Sequence, residues 1–360
     1  MELFHANKQW ATRPDDERFS SLQALYDACK GYADTARERN DVRVDSLRVE
    51  NVNGDVQLIG RGGLPAKLTH WAFGQLCARI GAPASYLREL PATLAAQNIN
   101  HGLAAKVQDA KDAIVNLLFH LNDGLLLRAL TSDKYARIWN WEIADRLLGL
   151  QAQGWDAARP TIRVDLDSKG VRLPLYASDH DMFAFVTHNE RTINEPGNPD
   201  GLRRGLIVAN SEVGASTLLA LRFLYREMCG NHIIWGAENV VELKLRHVGT
   251  IRDRFSAWDA EIRKYLDSSV SDEEQMIAHA QRTIIAATKE EVLDAIFGKR
   301  IPGLTRKALT EGYELVQPAD GDAHTPWGIV QGLTRYSQSI PYADQRTELD
   351  RAAGKLLTAF

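Results

Sequence analysis

The strongest constraint on the fold is the order in which two kinds of hydrophobic periodicity occur along the chain. Up to about residue 249, strand-like segments alternate with a few amphipathic helical stretches. From Thr250 onward, six stretches carry apolar residues at helical spacing: Ile251–Leu266, Glu273–Thr288, Glu290–Phe297, Leu304–Leu315, Trp327–Ser337 and Thr347–Leu357. Strands in runs followed by helices in runs predict an α+β fold rather than a doubly wound parallel sheet. The expected architecture is a mixed, mainly antiparallel sheet with flanking helices in residues 1–249, including an N-terminal hairpin. A helical region over residues 250–360 should pack on that core.

Local signals place the elements. Asn53-Gly54 between Val44–Val49 and Val56–Ile59 predicts a two-residue hairpin turn, and Asn122-Asp123-Gly124 predicts a second turn between Ile114–His120 and Leu125–Leu130. A helix should start near Ser20. Another should start after the N-cap Thr69 and stop at Gly81 and Pro83, and Pro91 should break the helical stretch Ser85–Asn98. The pattern predicts a helix from about Tyr135 to Leu150. Strands are predicted at Thr161–Asp165, Gly170–Ala177, Met182–Val186, Arg204–Asn210 and Val240–His247, while Thr217–Tyr225 fits either type.

Three sparse cysteines, Cys29, Cys77 and Cys229, form no disulfide framework. The first ten residues lack the apolar core of a signal peptide, and no apolar run has the length of a membrane span. The reading is a cytoplasmic protein with no membrane partner. The net charge of −4 excludes a uniformly basic surface but not one basic face.

The densest polar cluster is Asn210-Ser211-Glu212-Val213-Gly214, at the end of an apolar strand, where a glycine permits close approach of a ligand. Turn chemistry alone explains the same composition. With Cys229, Asn231 and His247 these residues make a possible pocket, in which Glu212 or His247 would act as acid or base. Cys229, His232 and His247, or Asp179, His180, Asp181 and His188, lack zinc-site spacing, and no metal is assigned. Phosphate-loop, nucleophile-elbow and zinc-protease motifs are missing, so no cofactor and no catalytic residue is assigned.

Basic residues are more suggestive. Between Gly201 and Arg254 lie eight cations, Arg203, Arg204, Arg222, Arg226, Lys244, Arg246, Arg252 and Arg254, against five acids. Brought to one face, such residues would track a phosphate backbone. Arg128, Lys134, Tyr135, Arg137 and Trp139 form a second group in which rings beside cations suit single-stranded nucleic acid. A solvated charged face is the bland alternative.

Arg203–Gly214, Tyr225-Arg226, Cys229-Gly230-Asn231 and Arg246-His247 together resemble the domain of unknown function 932 family, the phage/plasmid-like proteins. Leu130–Tyr135, Thr325–Gly328 and Thr334–Tyr336 extend the resemblance over roughly residues 65–355. One departure is His232, where the family pattern has glycine. The resemblance implies a mobile-element setting, in which handling of single-stranded DNA or blocking of a host defence is the expected work. The leading expectation is a binding protein for single-stranded DNA in recombination, replication or establishment, similar in general architecture to annealing proteins and acting as a homo-oligomer. The alternatives are an enzyme acting on a nucleotide or nucleic acid at the Asn210–His247 block and an anti-defence interaction protein.

Overall fold

A computed structural model describes residues 17–60, 63–105, 114–158, 174–195, 198–226, 231–233, 243, 245–340 and 343–360. The fold is α+β and mainly antiparallel, built on two sheets rather than one.

The first sheet has the strand order β2-β6-β7-β5-β4-β3. Strands β3 (Val49–Val52) and β4 (Asp55–Ile59) form the hairpin that Asn53-Gly54 predicts. Both turn residues have positive φ, 55° and 91°, the geometry that matches the twist of the flanking strands. Strand β5 (Pro65–Leu68) runs parallel to β7 (Gly124–Ser132), and a parallel neighbour requires a crossover. Helices α2 (His70–Ile80), α3 (Ala84–Glu89) and α4 (Ala92–Ala105) supply it, followed by β6 (Ile114–Asn122), the hairpin partner of β7. Thr69 caps α2 by accepting from the Ala72 amide, and Gly81 ends it in the left-handed conformation. Leu76, Cys77, Ile99 and Leu103 from the helices share a core with Val49, Leu58, Leu117 and Leu127 from the strands. At the other edge lies β2 (Ala36–Arg43), paired with β6.

The second sheet runs β1-β9-β10-β11-β12-β13, with β8 (Trp155–Ala157) also paired to β10. Its centre is the hairpin of β10 (Met182–Glu195) and β11 (Asn198–Asn210), flanked by β9 (Leu175–Ala177) and β12 (Leu219–Arg226), with β1 (Arg18–Phe19) and β13 (Asn231–Ile233) outside. Both faces of this centre are buried. Leu206 and Val208 face helices α1 (Leu22–Asp34), α5 (Asn140–Gly149) and α6 (Ile251–Asp267), through Leu25, Ile143, Trp258 and Ile262. Ile207 and Ala209 pack with Phe183, Phe185, Leu219 and Leu221 in a separate cluster.

The far end of the hairpin enters a third core. Ile193, Leu202 and Leu224 pack with helices α7 (Ser271–Arg282), α8 (Lys289–Gly298), α9 (Arg306–Glu314), α10 (Pro326–Ser339) and α11 (Ala343–Leu356). Helices α9 and α10 approach so closely that a Cβ on Gly332 would overlap the carbonyl of Gly312. The buried Trp327 indole donates to Glu195 Oε1 at 3.1 Å and ties α10 to the end of β10.

One local expectation is corrected and one ambiguity is resolved. The helix expected from Tyr135 starts at Asn140, because Tyr135 and Ala136 pair with residues 247–248 instead. Thr217–Tyr225, ambiguous in pattern, supplies strand β12. The strand expected at Thr161–Asp165, the first part of Gly170–Ala177, and residues 240–242 and 244 lie outside the described residues.

Candidate functional site

Strand β11 ends at Asn210, and the chain turns through Ser211-Glu212-Val213-Gly214, with Gly214 at φ 81°. The turn between β9 and β10 lies beside it. There the Ser178 hydroxyl accepts from the amides of His180 and Asp181 at 3.1 and 3.2 Å. Ser211 Oγ donates to the His180 carbonyl at 2.7 Å and so ties the two turns together. This polar end of the second sheet meets the first sheet.

The contact between the sheets is an internal polar junction. Arg128 of β7 reaches across to Glu212, Nη2 to Oε2 at 3.1 Å, and also donates to the Asp179 carbonyl at 2.8 Å. Both side chains are only 1% exposed. The Trp71 indole and the Gln75 amide of α2 both donate to the Val213 carbonyl, at 3.0 and 2.8 Å, and Gln75 Oε1 accepts from the Leu130 amide of β7. Behind the corner, Asn210 Nδ2 donates to Ile138 O and Asn140 Oδ1, while Glu212 Oε1 accepts the Asn140 amide at 2.8 Å. A carboxylate taken out of water needs such partners, and here it has a guanidinium on one oxygen and a backbone amide on the other. Cys29 lies in the same interior, where burial first and the Glu212 charge second push its thiol pKa up. A thiol held in that state is a poor nucleophile.

A seam of basic and aromatic residues runs along the side of the junction. Tyr135 and Val248 form an antiparallel bridge, and the Ala136 amide donates to the His247 carbonyl at 2.9 Å. His247 Nδ1 lies 3.2 Å from the Ala136 carbonyl. A carbonyl can only accept, so Nδ1 carries the hydrogen and Nε2 is a lone-pair nitrogen. The imidazole stacks on Tyr135, with ring centroids 5.1 Å apart and planes 15° off parallel. Burial, helped by the Arg137 charge, lowers its pKa from 6.5 to about 4 despite the opposing bond to Ala136. Tyr135 donates its hydroxyl to the Ser211 carbonyl, and burial raises its pKa.

The seam collects cations from two distant segments. The Arg137 guanidinium lies 5.5 Å from the Tyr135 ring and 5.4 Å from the Trp139 ring, and pairs with Glu38 of β2. Lys134 and Arg246 are exposed. Arg254, on the first turn of α6, folds back to donate to the Val248 carbonyl at 2.9 Å. Arg252, 70% exposed, pairs with Glu142 of α5.

The other sequence-predicted cations have different surroundings. Arg128 and Arg204 are buried, which removes them from any surface of this structure. Arg204 makes a two-point pair with Glu273 and donates to the carbonyls of Ser268 and Ser269, tying β11 to the α6–α7 connection. Arg222 lies over the Tyr265 ring at 4.2 Å, and Arg203 donates to the carbonyls of His188 and Asn189. Arg226 is opposite Asn231 in the β12–β13 register. Lys244 and Cys229 lie outside the described residues.

Of the possible pocket, Asn210, Ser211, Glu212 and His247 are all buried. The first three hold the junction, and His247 holds the seam. Sequence reasoning missed Asn140, the partner of Asn210 and Glu212, and Trp71 and Gln75, which hold the Val213 carbonyl of the same corner. No spacing signals these residues, because each pairing spans dozens of residues of chain or joins two turns. The signal that existed was an ionisable side chain, Arg128, in the otherwise apolar run Leu125–Leu130.

Residues 175–354 match the family model described as Domain of unknown function (DUF932). The chain belongs to the DUF932 family. The DUF932 match begins at β9 and covers β9 to β13 of the second sheet, the corner and most of the helical region, whereas β1, β8, Arg128 and the residues 132–139 of the seam lie before it. No curated protein and no solved structure matches the chain. Among the described residues no helix is long and apolar enough to cross a membrane.

Proposed function

We propose that the seam is a binding surface for single-stranded nucleic acid, with single-stranded DNA as the working substrate. One observation carries the reading: the Tyr135–Val248 bridge, which brings the exposed Lys134 to the segment bearing Arg246, Arg252 and Arg254 and next to the half-buried rings of Tyr135 and Trp139, while Arg137, 7% exposed and paired with Glu38, backs the two rings rather than the surface. Cations along a groove hold phosphates, and partly exposed rings offer stacking faces that any base can use. The mobile-element setting that the family resemblance implies supports the same reading. Copies of the chain arranged side by side would join one seam to the next, which is the reason to expect an oligomer.

The test is fluorescence anisotropy with a labelled single-stranded oligonucleotide across a series of salt concentrations. Each phosphate contact on a single strand contributes about −0.7 to the slope of log K against log salt. Lys134→Ala, Arg246→Ala and Arg254→Ala combined should flatten the slope by roughly 2, the sum of three such contacts. Absence of binding at the lowest salt, or a slope the triple variant leaves unchanged, would refute the proposal.

A further inference from the structure

The first sheet carries a cavity that the seam does not use. It has a volume of about 300 Å³ and is lined by strands, the Val44–Ser46 turn with Leu47, and the Gly60–Leu64 loop ends, with no residue of α2, α3 or α4 in its wall. Its apolar side is formed by Leu58, Leu117, Phe119 and Leu125. Leu64, 69% exposed, stands at the wall beside open solvent. On the opposing strand β2, Arg37 and Arg39 both line the space, as residues two apart on a strand share a face.

The charge in that wall is unbalanced. Arg37 uses Nη1 on the carbonyls of Asp34 and Ala36, contacts that orient the guanidinium without neutralising it. The Arg39 side chain makes no hydrogen bond or ion pair with a described residue. Glu38 also lines the cavity, but its carboxylate pairs with Arg137 at 2.7 Å. Two guanidiniums therefore face a largely apolar space with no counter-charge of their own.

We propose that this cavity binds a mononucleotide, with the base against Phe119 and the leucines and the phosphate held by Arg37 and Arg39. The volume is at the small end of ligand pockets and suits a compact ligand rather than a peptide or an oligonucleotide segment. A carboxylate calls for one guanidinium. A terminal phosphate carries close to two negative charges at neutral pH and presents several acceptor oxygens to paired forks. A planar base stacks on a ring such as Phe119, a face that a branched aliphatic tail does not need. The cavity shares with the seam only the Glu38–Arg137 pair, and a nucleotide can bind here whether or not the seam binds nucleic acid.

The experiment is isothermal titration of the full chain with dAMP, dTMP, inorganic phosphate and decanoate, repeated on Arg39→Gln and Arg37→Gln, with circular dichroism confirming that each variant is folded. The expected result is binding of both nucleotides, tighter than inorganic phosphate, and weakened roughly tenfold or more by either substitution. Four results would overturn the proposal: no nucleotide binding to the folded chain, equal binding by the arginine variants, equal binding of inorganic phosphate, or decanoate binding in preference to nucleotides.

Discussion

Replacing Glu212 with glutamine tests whether the corner of β11 is a structural tie between the two sheets. The substitution keeps the shape and leaves Oε1 as an acceptor for the Asn140 amide, so the change falls on the position that faces Arg128, where an uncharged NH2 donor replaces a carboxylate oxygen. Arg128 is then a buried guanidinium whose remaining hydrogen-bond partner is the Asp179 carbonyl, beside the Tyr32 ring at 5.4 Å, and one of its nitrogens, Nη1, already has none. Breaking one side of a buried pair costs about 3–5 kcal/mol, because the stranded charge stays desolvated. Glu212→Gln and Arg128→Met should each lose that much in urea denaturation followed by tryptophan fluorescence. The double variant should lose far less than the sum, since the apolar methionine no longer needs a counter-charge, giving a coupling of about 2 kcal/mol or more. Because the pair joins the sheets, the single variants should also broaden the transition or lower its slope as the sheets come apart separately. Additive losses would refute the argument, and so would a Glu212→Gln protein as stable as the parent.

Two further predictions concern folding. His247 has a folded pKa of about 4 against 6.5 in the open chain, so between those values the unfolded chain binds the extra proton and stability rises with pH. At 1.36 kcal/mol per pH unit the contribution is at most about 3 kcal/mol, fully present above pH 6.5 and lost as the pH falls to about 4. His247→Gln should flatten that part of the stability profile, and an unchanged profile counts against a neutral buried imidazole. Gly54→Ala and Gly332→Ala separate conformational from steric cost. The first places a side chain at φ 91° in open space, for about 1 kcal/mol, whereas the second forces α9 and α10 apart and should cost several-fold more by thermal denaturation.

Much of the first sheet was legible. Asn53-Gly54, Thr69 and Gly81 act through backbone geometry that depends only on the residue itself, and each acts where the pattern puts it. The stretch after Ser132 was not legible, because its helical spacing was overridden by pairing with residues 247–248 from over a hundred residues away. The arginines were hidden for a different reason. Strand β11 is buried on both faces, so apolar residues surround Arg203 and Arg204 whichever way they point, and alternation cannot tell an inward cation from an outward one. The polar block was legible as a block. Its tie to Arg128 was not, since one half of that pair sits in another sheet.

The position of that pair has a consequence for inheritance. Glu212 lies inside the DUF932 match, and Arg128 lies well before its first residue, 175. A descendant that replaces either side chain alone passes through a weakened intermediate, so the two positions are expected to change together or not at all. The unit that selection acts on therefore begins upstream of the segment by which the family is recognised. A recombination event that exchanged residues 175–354 between two relatives that differ at this pair would carry Glu212's position without Arg128's and leave the charge between the sheets mismatched.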